Sequence, residues 1–226
     1  MGSQSQTWRT FLTNELKGIW AADLLVIHTI NYRVLHVLFV IRHDRRELTH
    51  FNVTSSPTSA WVWQQLIEAT PWGRQPKYLI HDRDAVYGHK FGARLANLCI
   101  ASVVTPVRAP WANAIAERLV RTLRSEALDH IIVVNEQHLR AVLAEFVAYY
   151  NRDRPHRSLG LQSPLPRSPT AFGTVVRSAV LGGLHHAYAR AAWVRMPFCP
   201  PSGSSRLYVR AIRMEVGRIR RKFGGH

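Results

Sequence analysis

The stretch GIWAADLLVIHTINYRVLHVLFVIR, residues 18–42, decides the fold class. Its two halves, 18–27 and 33–42, are nearly continuous apolar runs rich in Val, Leu and Ile, which is typical of strands buried on both faces of a sheet. A short polar link joins them, and a second polar link leads into the shorter, more polar run 47–54. These features predict an antiparallel three-stranded meander with 47–54 as its edge strand.

Helical and strand-like patterns alternate after the meander. A Ser or Thr cap near Thr54 to Ser56, with Pro57 in the first turn, predicts the start of a helix. Further elements are predicted as a strand at 77–82, a helix at 88–99, a strand at 100–105, and amphipathic helices at about 112–128 and 136–150. This order predicts an α/β domain with a mixed five-stranded sheet and helices on both faces.

The composition divides the chain into three segments. We expect a lead-in at 1–14, a packed domain at 15–165 and a basic, weakly ordered tail at 166–226, because Pro, Ser and Arg dominate from about residue 150 onward. Within the tail, HHAYARAA (185–192) could form a short helix.

The charge of the chain points to a polyanionic partner. The formal net charge is +16 and the pI is near 11.1, so nucleic acid is favoured over a membrane surface. Residues 1–170 hold 20 Lys and Arg against 13 Asp and Glu, whereas 171–226 hold 10 against 1. No apolar run approaches the roughly 18 residues of a membrane span, and the two cysteines have no metal-ligand spacing. We therefore expect an intracellular protein.

Three acids need an explanation in so basic a chain. Asp23 lies inside an apolar run, and Asp82 comes where the strand 77–82 ends. A buried carboxylate costs several kcal/mol unless it is paired, protonated or bound to a cation. Two adjacent carboxylates repel one another unless a divalent ion lies between them, so a metal site is one interpretation. The alternatives to it are a satisfied core aspartate for Asp23 and a turn or cap residue for Asp82.

The third acid is Glu117, in the predicted helix 112–128. At 100° per residue, Asn113, Glu117, Arg121 and Arg124 fall within about 80° of one another, opposite the apolar residues of the helix. Such a face presents one acid among arginines. The acid alone would repel phosphate groups, but with Mg²⁺ bound it would attract them. An i, i+4 ion pair of Glu117 with Arg121 on a solvated face is the plainer interpretation.

The order Asp23, then Asp82 in IHDRD, then Glu117 in PWANAIAERLVRTLRSEALD resembles the catalytic triad of DDE transposases and retroviral-type integrases. The 34 residues between Asp82 and Glu117 are similar to that family's spacing, and YNRDRPHRSLGLQSP (150–164) resembles the segment that closes the core in bacterial insertion-sequence transposases. The resemblance covers about residues 7–170 and implies a ribonuclease H-like fold.

The resemblance also implies an activity. It is Mg²⁺-dependent DNA cleavage and strand transfer by a polynucleotidyl transferase, with DNA element ends and target as substrates and no small-molecule substrate. Asp23, Asp82 and Glu117 would hold two Mg²⁺ ions, for which Mn²⁺ can substitute. The residues expected to contact DNA are Trp111, Asn113, Arg118, Arg121 and Arg124, although Trp111 and Asn113 could equally cap and pack.

Some features depart from the family pattern. Asp84 stands where many relatives have glycine, and we interpret it as a solvated loop acid or a partner of Arg83. The chain begins almost at the core, without the helix-turn-helix of relatives, as a fragment would, so we expect inefficient transposition. The alternatives are a remnant that only binds DNA non-specifically and a ribonuclease H-like nuclease. We expect a bacterial cytoplasmic, nucleoid-associated protein that forms a homo-oligomer on DNA.

Overall fold

The computed structural model describes residues 7–71, 73–106, 113–166 and 172–191. The chain first forms α1 (Trp8–Asn14), β1 (Ile19–His28), β2 (Val34–Arg42), β3 (Leu48–Thr54) and α2 (Ser59–Ala69). It continues with β4 (Tyr78–His81), α3 (Phe91–Asn97), β5 (Ala101–Val104), α4 (Ala114–Glu126) and α5 (Glu136–Arg152). A hairpin of β6 (Val175–Val180) and β7 (His185–Arg190) follows. None of the helices in these described ranges is long and apolar enough to cross a membrane.

The main sheet has five strands in the order β3-β2-β1-β4-β5. The pairs β1–β2 and β2–β3 are antiparallel, and β1–β4 and β4–β5 are parallel. The predicted mixed sheet is therefore confirmed, with the meander as one half and β3 at its edge. The central position of β1 explains its apolar sequence, because a central strand is covered by helices on both faces.

Alternate side chains of the strands build two separate cores. On one face, Ile19, Ala21 and Leu25 of β1 pack with residues of α4 and α5. On the other face, Trp20 and Ala22 pack with residues of α2 and α3. This alternation follows from the two-residue period of a strand, and it confirms that helices cover both faces. The α4–α5 core includes Leu119, Leu123, Leu139, Leu143 and Phe146, each at most 1% exposed.

Two local predictions were wrong. The cap of α2 is Thr58, whose Oγ1 accepts a hydrogen bond from the Trp61 amide at 3.1 Å. Pro57 therefore lies before the helix rather than in its first turn, because Thr58 is extended and its side chain takes the capping position.

The second correction concerns the segment after the core. HHAYAR at 185–190 forms β7, not a helix, and it pairs in antiparallel register with β6 from Val175↔Arg190 to Val180↔His185. The helical tendency of its alanines is outweighed because cross-strand pairing with the valine-rich β6 satisfies the backbone. His185 also stacks on Tyr149 of α5, with ring centroids 4.8 Å apart.

Candidate active site

Asp23 lies on β1, and Asp82 directly follows β4, the parallel neighbour of β1. In the β1–β4 register Ala21 pairs with Ile80, and both side chains belong to the core on the α4–α5 face. Two residues further along β1 comes Asp23, which belongs to that same face, and Asp82 is the first residue after β4. Adjacent strands lie about 4.8 Å apart, which makes these two carboxylates neighbours at the carboxyl end of β4.

The surroundings of Asp23 are apolar and negatively charged. The pKa of Asp23 is raised from 3.8 to about 6: burial is the largest cause, the Leu24 amide opposes the rise, and the charges of Asp82, Glu117 and Asp84 contribute to it. The Leu24 amide donates to Asp23 Oδ1 at 2.9 Å. The electrostatic effect of all three neighbours on one carboxyl shows that the structure brings the predicted acids together in one region, with Asp84 as a fourth.

The loop after β4 holds Asp82 and Asp84 in place. The Asp84 amide donates to Asp82 Oδ1 at 3.2 Å, and Asp84 Oδ1 in turn accepts from the Val86 amide at 2.9 Å. Asp84 thereby caps the short 3-10 turn Ala85–Tyr87. It is an exposed loop acid with a capping role, and Arg83 instead donates through Nε to the carbonyl of Thr105 at 3.3 Å.

Glu117 lies in the first turn of α4, on a helix whose Ala116, Leu119 and Leu123 are buried against the sheet. A carboxylate in the first turn of a helix is favoured by the helix dipole. The packing of α4 against β1 brings Glu117 to the face that carries Asp23 and Asp82.

The carboxylates are neighbours without forming a compact ligand set. Among the described residues, no three His, Cys, Asp or Glu side chains are grouped closely enough to hold one metal ion. The donor chemistry nevertheless suits a hard divalent cation, since Mg²⁺ prefers carboxylate oxygens and a cation would relieve the repulsion that raises the pKa of Asp23. The residues therefore fit the ions that the family resemblance implies.

His81 belongs to the opposite face of β4. Its Nδ1 donates to the Asp82 carbonyl at 2.7 Å, which leaves Nε2 to accept from Ser102 Oγ at 2.8 Å. Burial lowers the pKa of His81, so the ring is neutral and locked between β4 and β5. His81 thus connects β4 to β5 beside the candidate site.

The residues predicted to contact DNA have different surroundings. Asn113 precedes α4 as its cap residue, but it is buried, and its side chain makes no capping hydrogen bond. Trp111 lies outside the described residues. Arg118 and Arg121 are exposed on α4, whereas Arg124 donates from Nη2 to the Val26 carbonyl at 3.0 Å and so is tied to β1.

Sequence reasoning did not identify Arg46 or Arg157 as binding residues. Both line a cavity of about 450 Å³ on the side of α4 that carries Arg118. Arg46 lies in the turn between β2 and β3 at a positive φ of 58°, and Arg157 lies in the motif 150–164. Their only sequence signal is the basic run His43 to Arg46 and the motif itself, and neither pattern reveals that the two regions meet.

Comparison with known proteins places the chain in a class. Residues 98–164 match the family described as the integrase core domain. A chain of the simian T-cell lymphotropic virus intasome, solved in complex with PP2A regulatory subunit B56 gamma, is similar over 77% of this chain and 67% of its own length, with 14% identity and a TM-score of 0.52. No curated protein matched.

Two further solved structures are isolated cores. The catalytic core domain of BIV integrase is similar over 66% of this chain and 91% of its own length, with 14% identity and a TM-score of 0.48. The HTLV-2 integrase catalytic core domain in complex with magnesium, in its dimeric form, is similar over 60% of this chain and 86% of its own length, with 10% identity and a TM-score of 0.48.

The fold is thus the ribonuclease H-like fold of integrase catalytic cores. The sequence match makes the similarity more specific, because residues 98–164 resemble the integrase core domain family. The matched segment includes Glu117 and the motif 150–164 but neither Asp23 nor Asp82, so the roles of these two acids depend on the geometry of the site.

Proposed function

We propose that this chain is a transposase or integrase catalytic core that cuts DNA at the ends of a mobile element and joins the 3′-hydroxyl to target DNA. The observation that supports the proposal is that Asp82, at a strand end, and Glu117, on a helix, lie near enough to Asp23 of the central strand to raise its pKa. Convergent carboxylates with a perturbed pKa are typical of functional sites.

Asp23, Asp82 and Glu117 would hold two Mg²⁺ ions, with Mn²⁺ as a substitute. When bound there, these ions would supply activation of the attacking hydroxyl and neutralisation of the leaving oxygen in an in-line phosphoryl transfer. Residues of the chain orient the carboxylates and contact the DNA. Asp84 and the Leu24 amide orient the aspartates, and Arg118 and Arg121 are exposed on α4 for contact with phosphates of the DNA backbone.

Cleavage and strand transfer of a labelled duplex in Mg²⁺ or Mn²⁺ test this function. Glu117→Gln and Asp82→Asn keep the size of each side chain and remove a metal-binding charge, so both should lose product by at least about a hundredfold. Asp129→Asn is the matched control, because Asp129 is an exposed acid in the turn after α4. Wild-type cleavage that persisted in Glu117→Gln would show that the assignment is wrong.

A second candidate is DNA binding without catalysis. It is favoured by the absence, among the described residues, of three carboxylates grouped at ligand distance. Such a protein would bind DNA with a steep dependence on salt and would yield neither cut nor joined product. A related nuclease would cut without joining, so the strand-transfer product separates these activities.

We also propose that the chain acts on DNA as a homo-oligomer, as the family resemblance implies. Light scattering of the full chain, alone and with duplex DNA, would test this. A mass corresponding to one chain per duplex at all concentrations would contradict it.

A further inference from the structure

A cavity of about 450 Å³ lies on the side of α4 that carries Arg118 and Thr122. Its walls come from three separate regions: Arg118 and Thr122 of α4, Arg46 of the β2–β3 turn, and the segment 154–158 after α5. The floor is apolar, with Ile41, Ile115 and Leu119. Four arginines therefore line one cavity: Arg46, Arg118, Arg154 and Arg157.

Only one of these four arginines is paired with an acid. Arg154 donates from Nε to Glu126 Oε2 at 2.7 Å and lies over the ring of Tyr150. Glu47 and Asp44, the two acids nearest Arg46 in sequence, are both bound by Arg42, at 3.0 and 2.7 Å. The salt bridges found among the described residues involve none of Arg46, Arg118 and Arg157. Among the described residues, three arginines of the cavity thus have no salt bridge.

Arg46 is the informative member of this group. Its Nη1 atom is buried, and no acceptor among the described residues lies within hydrogen-bond distance of it. Burial lowers the pKa of Arg46, and the charge of Arg118 lowers it further. A buried guanidinium nitrogen without an acceptor destabilises the folded protein, so a bound anion that accepts a hydrogen bond from Nη1 would stabilise it.

The remaining polar groups of the cavity suit a phosphate. Thr122 and Ser158 supply hydroxyl donors, and arginine binds phosphate oxygens in a bidentate manner. His156 is 7% exposed and packs edge-on against Tyr150, with ring centroids 4.7 Å apart, so it fixes the wall formed by the segment 154–158.

We propose that this cavity, the arginine pocket, binds one phosphate group of a nucleic-acid backbone through Arg46, Arg118 and Arg157. Arg118 and Glu117 are consecutive on α4, about 100° apart around the helix, so a DNA strand held in the pocket passes beside the carboxylates. The choice of DNA over free phosphate rests on the proposed function. The pocket would position DNA, whereas the carboxylates act on it.

The test measures binding without cleavage. Fluorescence anisotropy in EDTA measures the affinity of the full chain for a labelled duplex. The pocket variants Arg46→Gln, Arg118→Gln and Arg157→Gln are compared with the control Arg33→Gln. Arg33 is an exposed arginine at the opposite end of β2 and loses the same charge. We expect each pocket variant to bind about tenfold more weakly and to lower the salt slope by about one, and the control to change affinity less than about twofold. Equal losses in the pocket variants and the control would overturn the proposal.

Two further arms separate the alternatives. Arg46→Gln should melt no lower than the wild type, because it removes an unpaired buried charge, and if it fails to fold the exposed Arg118 and Arg157 decide. Inorganic phosphate provides the next comparison. The pocket would be assigned to free phosphate, and the DNA assignment overturned, by two results together: phosphate raises the melting temperature of the wild type but not of Arg46→Gln, and duplex affinity is unchanged in all pocket variants. Glu117→Gln should keep its duplex affinity in EDTA even though it loses cleavage, so failure of the pocket and failure of the catalytic proposal have different readouts.

Discussion

Asp23 lies among apolar residues on the central strand and is exposed to the negative charges of Asp82, Glu117 and Asp84. Its carboxyl group has a pKa of about 6 in the folded protein instead of the ordinary 3.8. The folded state therefore binds a proton more readily than the unfolded state between these two values, and stability falls as the pH rises through this window. Above pH 6 the ionised carboxylate destabilises the metal-free protein.

Asp23→Asn should stabilise the metal-free protein at pH 7 to 8. One pKa unit corresponds to about 1.4 kcal/mol, so the gain is at most about 3 kcal/mol, and it should disappear below about pH 4, where wild-type Asp23 is protonated. Urea unfolding in EDTA at several pH values measures this difference. Asp129→Asn, at an exposed acid, should show no comparable gain. A difference that did not depend on pH would contradict the electrostatic explanation.

At the scale of elements, the motif 150–164 joins the end of α5 to the sheet. Asn151 is buried, its Oδ1 accepts from the Leu48 amide at 3.0 Å, and its Nδ2 donates to the Leu48 carbonyl at 2.9 Å. It thus satisfies both backbone groups of the first residue of β3. Arg154 pairs with Glu126 at the end of α4, so two polar residues of one motif connect α5 with β3 and with α4.

Asn151→Ala should lower the free energy of unfolding by about 2 to 4 kcal/mol, because two buried backbone groups of Leu48 lose their partner. Asn135→Ala provides the comparison. Asn135 caps α5 with its Oδ1 accepting from the His138 amide at 2.8 Å, and its loss should cost only about 1 kcal/mol. Denaturant unfolding of the two variants measures the difference, and equal costs would show that the bridge to β3 contributes little.

At the scale of the whole molecule, a chain of net charge +16 places the three acids of the candidate site where substrate phosphates are proposed to bind. The arginines of the arginine pocket attract DNA, whereas the carboxylates of Asp23, Asp82 and Glu117 repel its phosphates unless a cation is bound. Metal binding and DNA binding should therefore reinforce each other.

Calcium ions at constant ionic strength should strengthen duplex binding by the wild type and have a smaller effect on Glu117→Gln, which lacks one metal-binding charge. In EDTA, Glu117→Gln should bind the duplex at least as tightly as the wild type, because one repulsive charge is gone. Fluorescence anisotropy provides both measurements, with Asp129→Asn as the control. Weaker binding by Glu117→Gln in EDTA would contradict this account.

The sequence alone determined the order of the strands and helices from β1 to α5, the antiparallel meander and the three candidate acids. Periodicity and hydrophobicity are local properties, so the runs at 18–27 and 33–42 and the stripe of α5 were readable without contacts. The start of α2 and the strand β7 were not, because capping by Thr58 and pairing with β6 compete with local propensity.

Only the tertiary structure decided which distant residues meet. The parallel register of β1 and β4 makes Asp23 and Asp82 neighbours, and the packing of α4 adds Glu117 and turns Arg118 toward the arginine pocket. Arg46 joins Arg157 in that pocket because the β2–β3 turn and the end of α5 lie at the same place on the fold. Such contacts depend on the burial of whole faces of the sheet, and no short segment of the sequence contains that information.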